Sequence, residues 1–112
     1  MIKVQQVLRK GDTVLLGIGL ANAVLDVQTS DSQLEECLQV LQRPHRGLIS
    51  ISLGTFGVYP ITLNLHNDES ISIFIDGPEF DECRTQSAAI WIRKEELEQL
   101  LIEALKNTPS LP

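Results

Sequence analysis

The sequence predicts an α+β protein with one antiparallel β-sheet of about six strands and two amphipathic helices packed mainly on one face. Apolar residues alternate with polar ones in four consecutive runs, as expected for strands with one buried face. Two other segments repeat their apolar residues every three or four positions, which is typical of helices. The length of 112 residues fits one domain, so we assign residues 1–112 to a single α+β domain.

The N-terminal part of the chain predicts a hairpin. Residues 2–8 and 13–18 are apolar-rich, and the turn-forming segment 9–12 separates them. Gly17 and Gly19 weaken the end of the second strand and predict a bend or a bulge there. A further short strand is predicted over residues 23–27.

Two helices are predicted from periodicity and end signals. Ser30 and Gln33 have capping-box spacing, in which each side chain bonds the exposed backbone amide of the other residue, and Pro44 ends this helix. The second helix covers residues 94–106 and is stopped by residues 107–109. The expected inward-facing residues are Leu34, Cys37, Leu38 and Leu41 in the first helix, and Leu97, Leu100, Leu101, Ala104 and Leu105 in the second.

The four alternating runs predict a four-strand meander, since short connections join antiparallel neighbours. The first two connections are residues 54–57 and 66–69. The third, residues 77–87, is predicted to be a longer polar loop because Gly77 and Pro78 interrupt the apolar alternation. The expected inward-facing residues are Ile49, Ile51 and Leu53; Tyr59, Ile61, Leu63 and Leu65; Ile71, Ile73 and Ile75; and Ile90 and Ile92.

The net charge of −6 is concentrated in one short segment. Six of the 15 acidic residues lie between His66 and Cys83, where no lysine or arginine occurs. The other nine acidic residues are matched in number by the nine basic ones. The missing basic stripe argues against a nucleic-acid partner, and the lack of a long apolar run argues against a membrane. Without a signal-peptide pattern, we expect a cytoplasmic protein with free thiols.

The acidic segment is one candidate site. In a meander, Asp68 and Glu69 lie at the opposite end of the sheet from the remaining four acids. Those four lack the ligand spacing of a calcium loop, and a polar loop offers no cleft that would raise a carboxyl pKa for acid–base catalysis. We interpret the segment as a solvated loop or as an acidic docking loop with one apolar anchor. Its residues are Asp76, Glu79, Phe80, Asp81 and Glu82.

No catalytic or metal-binding pattern is evident. His45 and His66 do not have ligand spacing with either cysteine, and Cys83 has Arg84 beside it but no histidine nearby in sequence. Phosphate-binding loops and nucleophile-elbow motifs are absent. The sequence therefore predicts no cofactor, no metal and no catalytic residue, and an enzyme is unsupported.

The sheet face opposite the helices is the second candidate site. Strand parity places short, uncharged side chains there, together with the aromatic residues Phe74 and Trp91. Depletion of charge around aromatic residues is typical of the centre of a protein interface. Phe56, at the tip of the 54–57 turn, is expected to extend this patch. The alternative is that the N-terminal hairpin or a helix folds over the face and buries it.

These features predict a non-enzymatic protein-interaction module: an accessory, regulatory, or inhibitor- or immunity-like protein. Its partner would be another protein, which the acidic segment allows to be basic, or a second copy in a homodimer. A small-ligand-binding domain, with the ligand between sheet and helices, is the alternative, and a divalent-metal-dependent hydrolase using the acidic loop is a weaker one. The predicted partner-binding residues are Phe74, Trp91, Phe56, Asp76, Glu79, Phe80, Asp81 and Glu82.

Overall fold

The described part of the chain forms seven β-strands and two α-helices. The computed structural model describes residues 2–21, 23–44, 47–66, 70–81 and 84–106, and only the backbone of residues 76–81 and 84–88. In chain order the elements are β1 (Lys3–Lys10), β2 (Thr13–Gly19), β3 (Val24–Thr29), α1 (Asp31–Gln42), β4 (Ile49–Phe56), β5 (Tyr59–Leu65), β6 (Ser70–Asp81), β7 (Arg84–Arg93) and α2 (Lys94–Lys106).

The strands form one antiparallel sheet whose spatial order is the order of the sequence, from β1 to β7. Each strand pairs with the strand that precedes it. The predicted α+β class and the predicted meander are therefore confirmed. The sheet has seven strands rather than about six, because β3 pairs with the N-terminal hairpin and links it to the meander.

The hydrophobic core lies between the sheet and the two helices. The predicted alternation holds: Leu53, Ile61, Leu63, Ile71 and Ile73 are all buried on the helix-facing side. The N-terminal strands contribute a second set of buried side chains to the same core. These are Val7, Val14, Leu16, Ile18, Leu25 and Val27, and the buried helix residues are Leu34, Cys37, Leu41, Leu97, Leu100, Leu101 and Ala104.

The junction between β3 and β4, which α1 separates in the sequence, is narrow. Their register contains one pair, Gln28 with Thr55. Next to it, Gly54 has φ +151°, and a Cβ atom there would lie 2.3 Å from the Gln28 carbonyl oxygen. Glycine is needed at this close approach. Residues 54–57 are thus not the predicted turn: β4 bulges at Gly54, continues to Phe56 and turns at residues 57–58.

Helix α1 is attached to β4 at the bulge. The Ser30 hydroxyl accepts a hydrogen bond from the Gln33 amide at 3.1 Å, which confirms one half of the predicted capping box. The other half is wrong, since the Gln33 side chain donates to the Ser52 carbonyl oxygen instead. The Cys37 thiol donates to the same oxygen at 3.3 Å. Two α1 side chains therefore donate hydrogen bonds to one carbonyl oxygen, next to the point where the β4–β5 register shifts.

Arg9 connects three elements at the N-terminal end of α1. Its Nε and Nη2 donate to the carboxylate of Asp31, the first residue of α1, with the shortest contact at 2.8 Å. Its Nη2 also donates to the Ala104 carbonyl oxygen, in the last turn of α2, at 2.8 Å. One side chain of β1 thus holds the start of one helix and the end of the other.

The predicted polar loop at residues 77–87 is wrong. Strand β6 continues to Asp81 and β7 begins at Arg84, with register shifts on either side of Glu79. Pro78 lies in this irregular stretch, where a missing backbone donor is tolerated. Pairing of β5 with β6 ends at Ile75, so beyond it β6 pairs with β7 alone. We call this two-stranded extension, residues 76–81 and 84–87, the acidic ribbon.

Candidate functional site

The surface of β4–β7 that faces away from the helices, which we call the outer face, carries two cross-strand rows of uncharged side chains. The register aligns them across all four strands, as the strand parity predicted. The charged residue Arg93 pairs with Ser70 at the border of these rows. The first row is Ser50, Asn64, Ser72 and Trp91, and the second is Ser52, Thr62, Phe74 and Ala89.

Trp91 is 64 % exposed on this face, and Phe74 is half-buried. The N-terminal hairpin extends the sheet sideways, and both helices pack on the other side. Neither the hairpin nor a helix covers Trp91, so the alternative of an intramolecular cover is not seen at this residue among the described parts of the chain. Leu48, which immediately precedes β4, is 63 % exposed.

His66 holds Trp91 in place. The two rings stack with centroids 4.9 Å apart and planes inclined by 25°. His66 Nε2 also lies 3.4 Å from the Ser72 hydroxyl oxygen, in the row beside Trp91. Ser72 is accordingly buried although it lies on the outer face. The stack limits the freedom of the indole ring, which reduces the entropy lost when a partner binds it.

The polar part of the first row is also ordered. The Ser50 hydroxyl donates to Asn64 Oδ1 at 2.7 Å across β4 and β5. This bond fixes the orientation of the Asn64 amide group on the open face. The outer face therefore combines a fixed hydrogen-bonding group with a fixed aromatic ring, and the imidazole of His66 packs beside that ring.

Phe56 lies elsewhere. It pairs with Tyr59, two positions from the buried Ile61, so strand parity places it on the helix-facing side. The bulge at Gly54 causes this change, because one extra residue reverses the parity of everything that follows it. Phe56 is exposed at the end of the sheet, but it does not extend the patch around Trp91.

For three of the acidic residues, the structure gives the position of the backbone only. Asp76, Glu79 and Asp81 lie along β6 in the acidic ribbon, in register with Ser87, Thr85 and Arg84. The side chains of these acids and of Phe80 lie outside the description, and so do Glu82, Asp68 and Glu69 altogether. Among the residues that are described, no group of three or more histidine, cysteine or acidic side chains is placed to hold a metal ion.

Cys37 is not a candidate nucleophile. Burial raises the pKa of its thiol to about 11, and the hydrogen bond from Gln33 opposes this only in part. The thiol lies in the core with its proton directed at the Ser52 carbonyl oxygen. Cys83 and His45 lie outside the described residues.

Sequence reasoning missed two features of the surface. His66 was considered only as a metal ligand, whereas its position two residues after Asn64 on β5 signals the outer face. A shallow groove between β1, β2 and β3 was also missed, and its signal was Gly17 in the interior of a strand.

The fold is of the α+β class, with one antiparallel sheet that carries both helices on the same side. No family model, curated protein or solved structure matches the chain. Within the described ranges, no helix is both long enough and apolar enough to cross a membrane. The role of the outer face is therefore inferred from its geometry alone.

Proposed function

We propose that this chain is a non-enzymatic protein-interaction module that binds a partner protein through the outer face. The observation that carries the proposal is the 64 % exposure of Trp91 at the end of a cross-strand row of uncharged side chains, with Arg93 at the border of the face. Burial of a large apolar side chain is worth about 1.5–3 kcal/mol, and this chain leaves most of that contribution unused. Tryptophans that a partner buries are the most frequent energetic centres of protein interfaces.

The surroundings of Trp91 support the same proposal. Ser50, Ser52 and Ala89 are exposed short side chains, which let a partner surface approach the sheet closely. His66 holds the indole ring in one orientation before binding. A surface evolved only for contact with water would carry more lysine and glutamate than these two rows do.

The charge distribution supports a basic partner. The excess negative charge of the chain belongs to the segment between His66 and Cys83, and β6 carries three of those acids in the acidic ribbon. A basic protein would be steered to this end of the sheet and would then dock on the outer face. An inhibitor- or immunity-like role in the cytoplasm, in which the acids occupy a basic functional surface, is the sharper form of the proposal.

Photo-crosslinking tests the proposal. Benzoylphenylalanine replaces Trp91 in one variant and Gln39, an exposed residue of α1, in a matched control. Position 91 should give an adduct with a basic protein, and position 39 should not. The adduct partner is then purified, and its affinity is measured for wild type and for Trp91→Thr. We expect the substitution to weaken binding roughly 30-fold, the loss typical of an interface centre.

Two outcomes would count against the proposal as stated. Equal affinity of wild type and Trp91→Thr for the purified partner would remove the outer face from the interface. An adduct of twice the chain mass, together with a dimer in light scattering that Trp91→Thr converts to a folded monomer, would replace the foreign partner by a second copy.

A further inference from the structure

The outer surface of the N-terminal strands contains a groove of about 270 Å³. The cross-strand row Gln6–Gly17–Asp26 runs through it, with glycine in the centre. Neighbouring strands are about 4.8 Å apart, so the strands of Gln6 and Asp26 stand roughly 10 Å from each other. The groove is therefore wide enough for one extended side chain from another molecule.

The backbone of this chain does not itself require glycine at position 17. Gly17 is not among the residues with positive φ. A Cβ atom at this position would meet its nearest neighbours at 3.5–3.6 Å, which is ordinary van der Waals contact. Those neighbours are the Gln6 Cβ, a Val24 methyl group and an Asp26 carboxylate oxygen. Gly17 is itself buried beneath these groups, so it forms the floor of the groove, and the missing side chain leaves the space above that floor open between the flanking side chains.

The walls of the groove combine apolar surface with one negative charge. Leu8 and Leu15 form a cross-strand pair along one side, and Leu15 is 48 % exposed. Val24, on the other side of Gly17, is 51 % exposed. The carboxylate of Asp26 has no hydrogen bond or ion pair with another described residue. Lys3 lies over Gly19 rather than over Gly17, and it forms no ion pair with Asp26.

We propose that this groove binds a basic side chain, arginine or lysine, of the partner protein. Basic side chains have an alkyl stem that covers apolar surface and a charged head that seeks a carboxylate. Leu8, Leu15 and Val24 contact the stem, Asp26 pairs with the head, and the Gln6 amide oxygen accepts a further hydrogen bond. The proposal rests on the proposed function, because the side chain comes from the same kind of basic partner.

Titration of the full chain with amino-acid amides, followed by amide NMR, tests the groove without any partner protein. The probes are Nα-acetyl-arginine amide and Nα-acetyl-lysine amide, with Nα-acetyl-citrulline amide as the uncharged match for arginine. We expect the signals of Leu15, Gly17 and Asp26 to shift with a Kd on the order of 1 mM, as befits a single side chain. Citrulline should bind at least fivefold more weakly, and the tighter of the two cations identifies the preferred head group.

Two variants localise the effect. Asp26→Asn removes the charge and should weaken the cation at least fivefold. Gly17→Leu fills the groove and should abolish the shifts, and Gly17→Ala is the folding control because its methyl group meets no close contact. Trp91→Thr should bind the probes like wild type.

The proposal is overturned if arginine and citrulline perturb the same signals equally, or if Asp26→Asn binds arginine like wild type. This result is independent of the crosslinking at position 91. If the amino-acid amides do not bind, the groove is excluded and the outer face remains the proposed interface. If crosslinking at position 91 fails but the amides bind, the outer face is excluded and the groove remains a binding site.

Discussion

The carboxylate of Asp31 lies against Arg9 at 2.8 Å, although the two residues are separated by a hairpin and a further strand. Arg9 also bonds the Ala104 carbonyl oxygen, so this pair ties both helices to the edge of the sheet. The side chain of Arg9 is mostly buried, whereas that of Asp31 is half-exposed. Of this ion pair, Arg9 is therefore the residue whose substitution disturbs more of the structure.

Arg9→Gln should lower the free energy of unfolding by about 1–3 kcal/mol, because hydrogen bonds that involve a charged group are lost from two helix ends. Urea denaturation measures the change. Lys10→Gln, at the exposed next position of β1, is the matched control and should stay within about 0.5 kcal/mol of wild type. Equal effects of the two substitutions would show that the Arg9 contacts contribute nothing.

Stability should fall in acid through Asp31. The hydrogen bonds from Arg9 lower the pKa of this carboxyl group, and burial opposes this effect only in part. The unfolded chain has an aspartate pKa of about 3.9, and at any pH above that pKa the interaction stabilises the folded state. This stabilisation disappears as the pH falls through the lower pKa of the folded state. Asp31→Asn should therefore be less stable than wild type at pH 7, and the difference should shrink in acid.

Urea denaturation across this pH range checks the prediction, and Arg9→Gln provides the background for a double-mutant cycle. In that background, Asp31→Asn should lose most of its pH-dependent effect. A pH-dependent difference of the same size with and without Arg9 would contradict the assignment.

Gly54→Ala should destabilise the protein strongly. The added methyl group would lie 2.3 Å from the Gln28 carbonyl oxygen, on a backbone with φ +151°. We expect a loss of roughly 3 kcal/mol or more, since both strain and a backbone clash must be relieved. Gly57→Ala is the control: it also has positive φ but meets nothing within 4 Å, and should cost about 1–2 kcal/mol. Similar losses for both would show that β3 and β4 do not approach closely.

Cys37 should be inert in the native protein. With the pKa raised to about 11, roughly one thiol in 1,000 is ionised at pH 8, and the thiolate is the reactive form. In a Cys83→Ser background, iodoacetamide should label Cys37 only after denaturant unfolds the chain. Rapid labelling without denaturant would place the thiol outside the core.

Trp91→Thr should leave the folded state nearly as stable as wild type. The substitution keeps a β-favouring side chain and loses little more than the His66 stack, so we expect a change below about 1 kcal/mol. Ile73→Ala, in the buried face of the neighbouring strand, should instead cost about 2–5 kcal/mol. A loss of that size at Trp91 would make it a core residue and remove the basis of the proposed interface.

The sequence predicted those strands and helices in which burial of one face produces a regular pattern of apolar residues. The alternation around Ile61 and Ile73 specified both faces of the meander, since a strand has only two sides. The second helix has the predicted bounds, Lys94–Lys106, because a periodic apolar stripe extends over its whole length.

The sequence did not show whether particular glycine and proline residues mark turns or bulges. Gly54 and the pair Gly77–Pro78 suit a turn as well as a bulge, and only the pairing partners distinguish the two. The ion pair of Arg9 with Asp31 depends on how the hairpin is placed beside α1, which no local pattern encodes. The groove at Gly17 could not be predicted for the same reason, because Gln6 and Asp26 become neighbours only after β1, β2 and β3 have paired.

The sequential strand order has a kinetic consequence. Each hairpin can form from residues close together in the chain, so little loop entropy is lost before each contact is made. The helix contacts are different, since Gln42 meets Glu98 across 56 residues and Arg9 meets Ala104 across 95 residues. We therefore expect the sheet to assemble by local steps, and the docking of α2 against β1 to be the late event that closes the molecule.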